Sequence, residues 1–349
     1  MTQRTLAGLL AAPLLIALWV AAASEPLPYV TYEPGLTVNV LGDRGGQQII
    51  QVAGHQTYAD GGQLRMTTVY VSQPRPAEVT LAQLVKDWVN RDDAIYPYDA
   101  IYQPRETQAS SQKQGHAEMV SSQDAATAAA LEELGYDVVS VKVSKVYAHT
   151  PAQGRLEVGD VLEKVDGTPV TSLAQVTQAV QSSGAGRPVH FVVRRDGKQT
   201  EVTVTPQEDK GVPRVGVGLS PDLHFPFEVS VKIDPNIGGP SAGLMFSLGI
   251  YDVLTPGSLT DGQTIAGTGT IDEAGNVGPI GGIQQKIAAA RDAGAKLFFV
   301  PPDNCADALG AQNGDMRLVK AATMHDAVEA LKTWTADHDA ALPTCEEDS

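Results

Sequence analysis

Residues 242–254, with the sequence AGLMFSLGIYDVL, carry apolar side chains on almost every face of a helix. A helix that is hydrophobic all round must be buried on all sides, so this segment predicts the centre of a folded core. We expect the helix to end before Thr255-Pro256-Gly257, a sequence that breaks helices. Ser241 stands at its head behind Pro240, which suits the first turn of a helix. The chain therefore predicts a buried helix that begins beside a serine.

The position of Ser241 is compatible with two roles. The N–H groups of a first helical turn have no partner within the helix, and they could stabilise the oxyanion formed when Ser241 attacks a carbonyl. Gly239, Pro240 and Ala242 would then contact the substrate, because glycine lets the backbone approach a ligand closely. The alternative is that Ser241 only caps the helix, which is common for serine at this position. These residues alone leave both roles open.

Lys286 lies in a second predicted helix. Residues 283–293 have helical periodicity and precede Gly294, a common helix end. The apolar stripe of this helix consists of Ile283, Ile287 and Ala290. Because Lys286 falls on the stripe, burial should lower its pKa from about 10.4 and make the neutral amine a plausible general base for a serine. The alternative is a lysine whose stem reaches out to solvent.

These motifs resemble the Lon-type serine peptidases. The similarity runs from Phe225 to about Pro302, and it includes GGPSAG at 238–243, GTGT at 267–270 and GPIGGIQQK at 278–286. The resemblance implies an α/β proteolytic domain, which we place at residues 212–335.

The resemblance also implies roles for individual residues. Ser241 would be the nucleophile, Lys286 the general base, and Thr268 a residue that contacts the lysine amine. Many ATP-dependent members carry an aspartate three residues before the serine, where this chain has Gly238. The difference leaves open whether this active site is gated as theirs is.

Residues 124–207 resemble a PDZ domain of the kind found in bacterial proteases. Pro151-Ala152 and the run LEVGD at 156–160 match its usual sequence, and strands at 189–195 and 200–204 flank an Asp196-Gly197 hairpin turn. PDZ domains bind extended peptides at a sheet edge. Gly135 and Tyr136 are the predicted carboxylate-binding residues, and a plain helix end at Gly135 is the alternative.

Several other chemistries lack support in the sequence. We find no G-x-x-x-x-G-K-[ST] run for an attached ATPase, and neither H-E-x-x-H nor C-x-x-C for a metal site, so we expect no cofactor or metal. A formal charge of −16, from 25 basic and 41 acidic residues, argues against a nucleic-acid partner. A Ser-His-Asp triad through His224 is the alternative chemistry.

The N-terminal region predicts the location of the protein. Leu6–Ala23 is an uncharged run that at about 1.5 Å per residue could cross a bilayer core. Arg4 and Glu25 flank it, so the positive-inside rule places the N-terminus in the cytoplasm and the rest of the chain outside. We expect a transmembrane helix, a single-pass cell-membrane location and an extracytoplasmic catalytic domain. A cleaved signal peptide ending at residues 21–23 is the alternative. In that environment, Cys305 and Cys345 could form a disulfide or remain free thiols.

The predicted fold class is a multidomain α+β protein. Its divisions are a transmembrane helix at 1–25, a β-containing region at 26–123, a PDZ domain at 124–207, a Lon-type proteolytic domain at 212–335 and an acidic tail at 336–349. Within the second division, 37–40 and 66–71 predict strands, 81–90 a helix and 103–115 a loop.

The predicted function is that of an ATP-independent serine endopeptidase anchored in the membrane. Its partners would be protein or peptide substrates of extracytoplasmic or membrane origin, recognised through the PDZ domain, and oligomerisation is possible. The alternative is a catalytically inactive membrane protein that binds peptides through the PDZ domain. The retained Ser241, Lys286 and Thr268 favour the enzyme.

Overall fold

The structure is a computed structural model that describes the backbone of residues 3–74 and 79–348 and the side chains of residues 11–74 and 79–346. The helices are α1 Gln3–Ala23, α2 Leu81–Val89, α3 Tyr98–Ile101, α4 Gln108–Glu133, α5 Leu173–Ser183, α6 Gly243–Leu254, α7 Ile283–Asp292, α8 Cys305–Ala308 and α9 Met324–Ala336. The strands up to residue 146 are β1 Pro26–Leu27, β2 Tyr29–Asn39, β3 Asp43–Arg44, β4 Gln47–Gln48, β5 Ile50–Ala53, β6 Gln63–Val71, β7 Val79–Thr80, β8 Ala94–Pro97 and β9 Val139–Val146. The later strands are β10 Val161–Val165, β11 Thr168–Pro169, β12 Val189–Arg195, β13 Lys198–Val204, β14 Gln207–Asp209, β15 Val212–Arg214, β16 Val217–Leu223, β17 Glu228–Val231, β18 Thr264–Gly267, β19 Thr270–Ile271, β20 Val277–Gly278, β21 Leu297–Val300 and β22 Arg317–Lys320.

The chain divides into two compact units. The larger unit consists of Met1–Ala126 and Val229–Ser349, and the smaller unit is Thr127–Glu228. The larger unit therefore contains both the N-terminal strands and the Lon-like segment, although these are far apart in sequence.

A six-stranded sheet is the centre of the larger unit. Its strand order is β22-β21-β18-β6-β2-β8, in which β22, β21, β18 and β6 are parallel and β2 and β8 are antiparallel to their neighbours. Strand β21, LFFV, is buried along its whole length, as expected for a parallel strand covered on both faces. Strand β6 supplies the link between the two parts of the chain, because Gln63 pairs with Thr264 and Met66 with Gly267.

Helix α6 is buried nearly all round, as its sequence predicts. It begins one residue later than predicted and ends at the predicted Leu254. Helix α7 also occupies its predicted segment. Cys305 and Cys345 form a disulfide that joins α8 to the C-terminal residues.

A pair of carboxyl groups lies at the C-terminal end of α6. Asp252 is 2 % exposed, and burial together with the negative charge of Asp60 raises the pKa of Asp252 to about 7. Burial alone would raise the pKa of Asp60, but hydrogen bonds from the Gly62 amide and the Ser258 and Thr260 hydroxyls lower it below its usual value. Asp252 is therefore the member of the pair that holds a proton near neutral pH.

The smaller unit contains a six-stranded antiparallel sheet and helix α5. Its strand order is β13-β12-β10-β9-β16, with β11 attached to β10. The predicted hairpin is confirmed, since Val189 pairs with Val204 and Arg195 with Lys198. Asp196 and Gly197 both have positive φ, 50° and 76°, which is the requirement of a type I′ turn. Strand β16 is an edge strand of this sheet.

The polar segment Gln103–Gly115 differs from its prediction as a loop. Helix α4 already begins at Gln108, inside the predicted loop, and continues to Glu133. Glycine and serine lower helix propensity, and tertiary contacts override such preferences. The contacts of Gly115 and Ser122 described below supply that override.

The prediction of a transmembrane helix at Leu6–Ala23 is wrong. Helix α1 forms there, but within residues 3–74 and 79–348 the structure contains no helix that has both the length and the apolar character to cross a membrane. A spanning helix needs about 20 predominantly apolar residues in one continuous run. The single-pass membrane location with an extracytoplasmic catalytic domain, and membrane contact through this helix, depended on that prediction and are withdrawn.

Candidate active site

Ser241 lies just before α6, in a loop that we call the nucleophile loop, Gly238–Ser241. The N-cap position of α6 is occupied by Ala242, and no side chain caps this helix end. The Ser241 hydroxyl instead contacts the Lys286 amine. Ser241 therefore does not act as the helix cap that its sequence position allowed.

Helix α7 brings Lys286 to the serine. Lys286 Nζ donates hydrogen bonds to Ser241 Oγ at 2.7 Å and to Thr268 Oγ1 at 3.0 Å. The lysine is 2 % exposed, so its amine does not reach out to solvent. The apolar stripe of α7 correctly indicated this burial.

Burial controls the charge of Lys286. Removal from water disfavours the ammonium form and lowers the lysine pKa to about 7. No carboxylate among the described residues forms an ion pair with Lys286 that would favour the charged form. A large fraction of this lysine is therefore neutral at physiological pH.

Thr268 joins the lysine to the backbone of the serine. Its hydroxyl accepts the hydrogen bond from Lys286 and donates one to the Ser241 carbonyl oxygen at 2.9 Å. The Gly269 amide donates to the same carbonyl at 3.0 Å. Thr268 is completely buried at the end of β18, so these three side chains form one connected group.

A cleft of about 600 Å³ opens beside this group. One wall is the second half of β6, residues 67–71, and another is the segment Pro279–Gly281. Strand β6 pairs with β18 as far as Met66, and among residues 3–74 and 79–348 no strand pairs with the later part of β6 on that side. The cleft therefore brings Ser241 next to an open strand edge.

The predicted substrate-contacting residues divide into two groups. Pro240 and Ala242 line the cleft. Gly239 instead donates its N–H to the Gly115 carbonyl at 2.8 Å and is absent from the cleft wall.

Gly135 and Tyr136 lie in the smaller unit. Gly135 follows the end of α4 with φ of +86°, as a helix-ending glycine does, and the Tyr136 ring packs edge-on against Phe227. The cavity of this unit, about 680 Å³, lies elsewhere, between α5 and β16. Its lining includes Val176, Val180 and Leu219.

His224, the histidine of the alternative triad, also belongs to the smaller unit. Its side chain is 65 % exposed, and Nε2 lies 3.2 Å from Asp222 Oδ2. The hydrogen-bonding partner of the Ser241 hydroxyl is Lys286.

One acidic group could be considered for a metal ion. The carboxylates of Glu33, Asp87 and Asp93 converge within 4.8 Å. The Lys86 amine already contacts Glu33 at 2.9 Å, and the Gln83 amide donates to Asp87. These contacts provide protein donors to Glu33 and Asp87.

Sequence reasoning missed several residues around the site. The β6 residues that line the cleft were predicted only as a strand. Gly115 was assigned to a loop, and Ser122 only to the β-containing region 26–123. Asn304 was also missed, although it holds Ile280 in the cleft wall by accepting from its N–H and donating to its carbonyl, at 2.9 and 3.0 Å. The Pro301-Pro302-Asp303-Asn304 turn after a buried strand was the available signal.

Comparison with protein families identifies two regions. Residues 108–205 match the PDZ domain, and residues 223–331 match the Lon protease (S16) C-terminal proteolytic domain. The solved PDZ domain of the SdrC-like protein from Listeria monocytogenes is 26 % identical, with a TM-score of 0.22, and the match covers 24 % of this chain and 88 % of that one.

Relatives resemble this chain over limited segments. Lon protease 2 of Bacillus subtilis (strain 168) is 37 % identical over 91 residues, which are 25 % of this chain and 15 % of the relative. Lon protease of Metamycoplasma arthritidis (strain 158L3-1) is 44 % identical over 82 residues, 24 % of this chain and 9 % of the relative. Lon protease of Phenylobacterium zucineum (strain HLK1) is 26 % identical over 160 residues, which are 44 % of this chain and 19 % of the relative. The chain thus spans between 9 % and 19 % of the length of these relatives.

The chain therefore carries a proteolytic domain. More particularly, it joins a PDZ domain to a C-terminal proteolytic domain of the Lon type, so both resemblances noted in the sequence are confirmed.

Proposed function

We propose that this chain is a serine endopeptidase in which Ser241 is the nucleophile and Lys286 the general base. The observation that carries the proposal is the 2.7 Å contact between the serine hydroxyl and a buried lysine whose pKa is about 7. A neutral amine can accept the proton that the serine loses, which an ammonium cannot do.

The reaction follows from this pair. Ser241 Oγ attacks the carbonyl carbon of the scissile bond while its proton moves to Lys286 Nζ. The lysine then gives that proton to the leaving amine nitrogen as the C–N bond breaks. In the second half, Lys286 takes a proton from water, the resulting hydroxide attacks the acyl-enzyme, and the proton returns to Ser241. Thr268 keeps the amine directed at the serine through its 3.0 Å contact.

The substrate would lie as an extended strand along β6. The open edge at residues 67–71 offers main-chain groups to a peptide, which is the geometry of strand addition. A cleft open along a strand accepts the middle of a chain, and this supports an endopeptidase. Pro240 and Ala242, on the far wall, would face the scissile bond.

The PDZ domain would recognise protein substrates. The cavity between α5 and β16 has an apolar lining, and β16 is an edge strand to which a peptide can add. Leu219 on β16 lines this cavity, whereas its neighbour Ser220 does not. Leu219→Glu should therefore weaken cleavage of protein substrates and spare small peptides, and Ser220→Glu should leave both unchanged.

We further propose that cleavage requires no ATP, since every group in the proposed reaction belongs to the protein or to water. The alternative of an inactive binding protein is disfavoured by the intact contacts among Ser241, Lys286 and Thr268.

The decisive test is cleavage of an unfolded protein such as casein by the purified full chain without nucleotide. Wild type should cleave, ATP should not change the rate, and Ser241→Ala should be inactive. A peptide aldehyde should inhibit wild type by adding to Ser241. Equal cleavage by wild type and Ser241→Ala would refute Ser241 as the nucleophile. Cleavage only in the presence of added ATP would refute the proposal that ATP is not required.

A further inference from the structure

Helix α4 packs against the nucleophile loop. The Gly115 carbonyl accepts the Gly239 N–H at 2.8 Å, and Ser122 Oγ donates to the Pro240 carbonyl at 3.0 Å. The contact is close, because a Cβ on Gly238 would lie 3.1 Å from the Gly115 carbonyl carbon. Both α4 residues fall inside the segment that matches a PDZ domain, outside the 223–331 match to the Lon-type domain. An element from outside the proteolytic match thus holds the loop that carries the serine.

The hydrogen bond of Ser122 determines the direction of one N–H group. In a planar trans peptide the C=O and the N–H point in opposite directions. Because Ser122 holds the Pro240 carbonyl, the N–H of Ser241, in the same peptide plane, points away from α4. Thr268 and Gly269 donate hydrogen bonds to the Ser241 carbonyl. The N–H of Ala242, in the same peptide plane as that carbonyl, therefore points away from Thr268 and Gly269.

These two N–H groups are available to a ligand. Ser241 and Ala242 both line the cleft, and within the described part of the chain neither N–H donates to a protein acceptor. Oxyanion stabilisation requires donors that are oriented before the reaction begins. The two peptide planes beside the nucleophile are therefore held by separate partners, one of which is Ser122.

We propose that Ser122 is a positioning residue that orients the Ser241 N–H as an oxyanion donor. The inference rests on the proposed function of Ser241 as the nucleophile. Ser122 is only 5 % exposed, so water cannot readily replace its hydroxyl, and its loss leaves the Pro240 carbonyl without this donor. The Pro240 carbonyl then keeps only the longer hydrogen bond from the Gly243 N–H, at 3.3 Å, which holds the peptide plane less firmly and lets the Ser241 N–H turn away from the oxyanion.

The test compares Ser122→Ala with Ser121→Ala, an exposed serine on the same helix. Ser122→Ala should lower kcat on a fluorogenic peptide by about 10-fold to 100-fold with little change in KM, because one oxyanion donor is typically worth about 100-fold or more when removed outright. Affinity for a peptide aldehyde, whose adduct carries an oxyanion, should fall in parallel. Ser121→Ala should match wild type, and Ser122→Thr, which keeps the hydroxyl, should restore most of the rate.

Further measurements separate positioning from a general structural effect. The pH at half-maximal activity should not move in Ser122→Ala, because Ser122 does not contact Lys286. Wild-type kcat in Ser122→Ala, or a lower kcat with unchanged aldehyde affinity, would overturn the proposal. If Ser122→Ala does not fold, the same readouts on Ser122→Cys, a weak donor of similar size, decide the question. Absence of Ser241-dependent turnover in wild type would instead overturn the proposed function.

Discussion

Replacement of Lys286 tests the central chemistry most directly. Lys286→Arg preserves a positive, hydrogen-bonding side chain, but a guanidinium stays protonated at any usable pH and cannot act as a base. Lys286→Met retains a comparable stem and removes the amine. Both variants should lose peptide cleavage. The wild-type rate should depend on pH in the way that the lysine pKa dictates.

The magnitude follows from the pKa of about 7. At pH 8 about 90 % of Lys286 is neutral, against about 0.3 % for an ordinary lysine of pKa 10.5. Therefore kcat/KM should rise about tenfold per pH unit below pH 7 and level off above about pH 8.

The same pKa makes a prediction for stability. The folded-state pKa lies below the unfolded value of 10.5, so Lys286 destabilises the fold fully below pH 7 and progressively less as the pH rises from 7 to 10.5. At pH 8, which is about 2.5 units below the unfolded pKa of 10.5, this destabilisation is about 3 kcal/mol. Lys286→Met should therefore be inactive and yet more stable than wild type at pH 7 to 8.

The assay is initial-rate cleavage of a non-ionisable fluorogenic peptide between pH 5.5 and 9.5, with urea unfolding of each variant. Lys332→Arg, an exposed lysine of α9, is the matched control and should retain wild-type activity. A flat pH profile, a midpoint near 10 or an active Lys286→Arg would refute the role of a neutral lysine.

Three further predictions concern other residues. Ser241→Ala should abolish cleavage and change the free energy of unfolding by no more than about 0.5 kcal/mol, as urea titration would show, because little packing is lost. Asp252→Asn should stabilise the fold by up to about 4 kcal/mol above pH 7, because wild type must then bury an ionised carboxylate. The gain should shrink as the pH falls towards 4, where Asp252 is protonated in both the folded and the unfolded state. Equal stability of variant and wild type at pH 8.5 would contradict this. Gly238→Ala should cost about 1 to 3 kcal/mol and lower activity because its Cβ would press on α4, whereas Gly61→Ala, with open space around it, should be close to neutral in the same denaturation assay.

Local patterns in the sequence correctly predicted the two helices beside Ser241 and which of their residues are buried. Helix α6 is apolar all round and is buried, and Lys286 falls on an apolar stripe and is buried, because the 3.6-residue period of a helix shows directly which faces need cover. The Asp196-Gly197 turn was also predicted correctly, since few residues accept the positive φ angles that this turn requires. The same local reasoning failed for residues 6–23, where an apolar run was taken as a transmembrane helix.

Tertiary structure alone decided what surrounds that centre. Strand β6 completes the sheet of the proteolytic domain from about 200 positions earlier in the chain, and Ser122 reaches Pro240 across a separation of 118 residues. A hydrogen bond to a backbone group so far away leaves no periodic trace in either segment, because almost any residue offers the same backbone groups. Helix α4 was obscured for a related reason: Gly115 weakens the helix locally, yet it is the residue that lets the nucleophile loop approach. The sequence by itself determined which groups could react, and the long-range contacts decided how they are held.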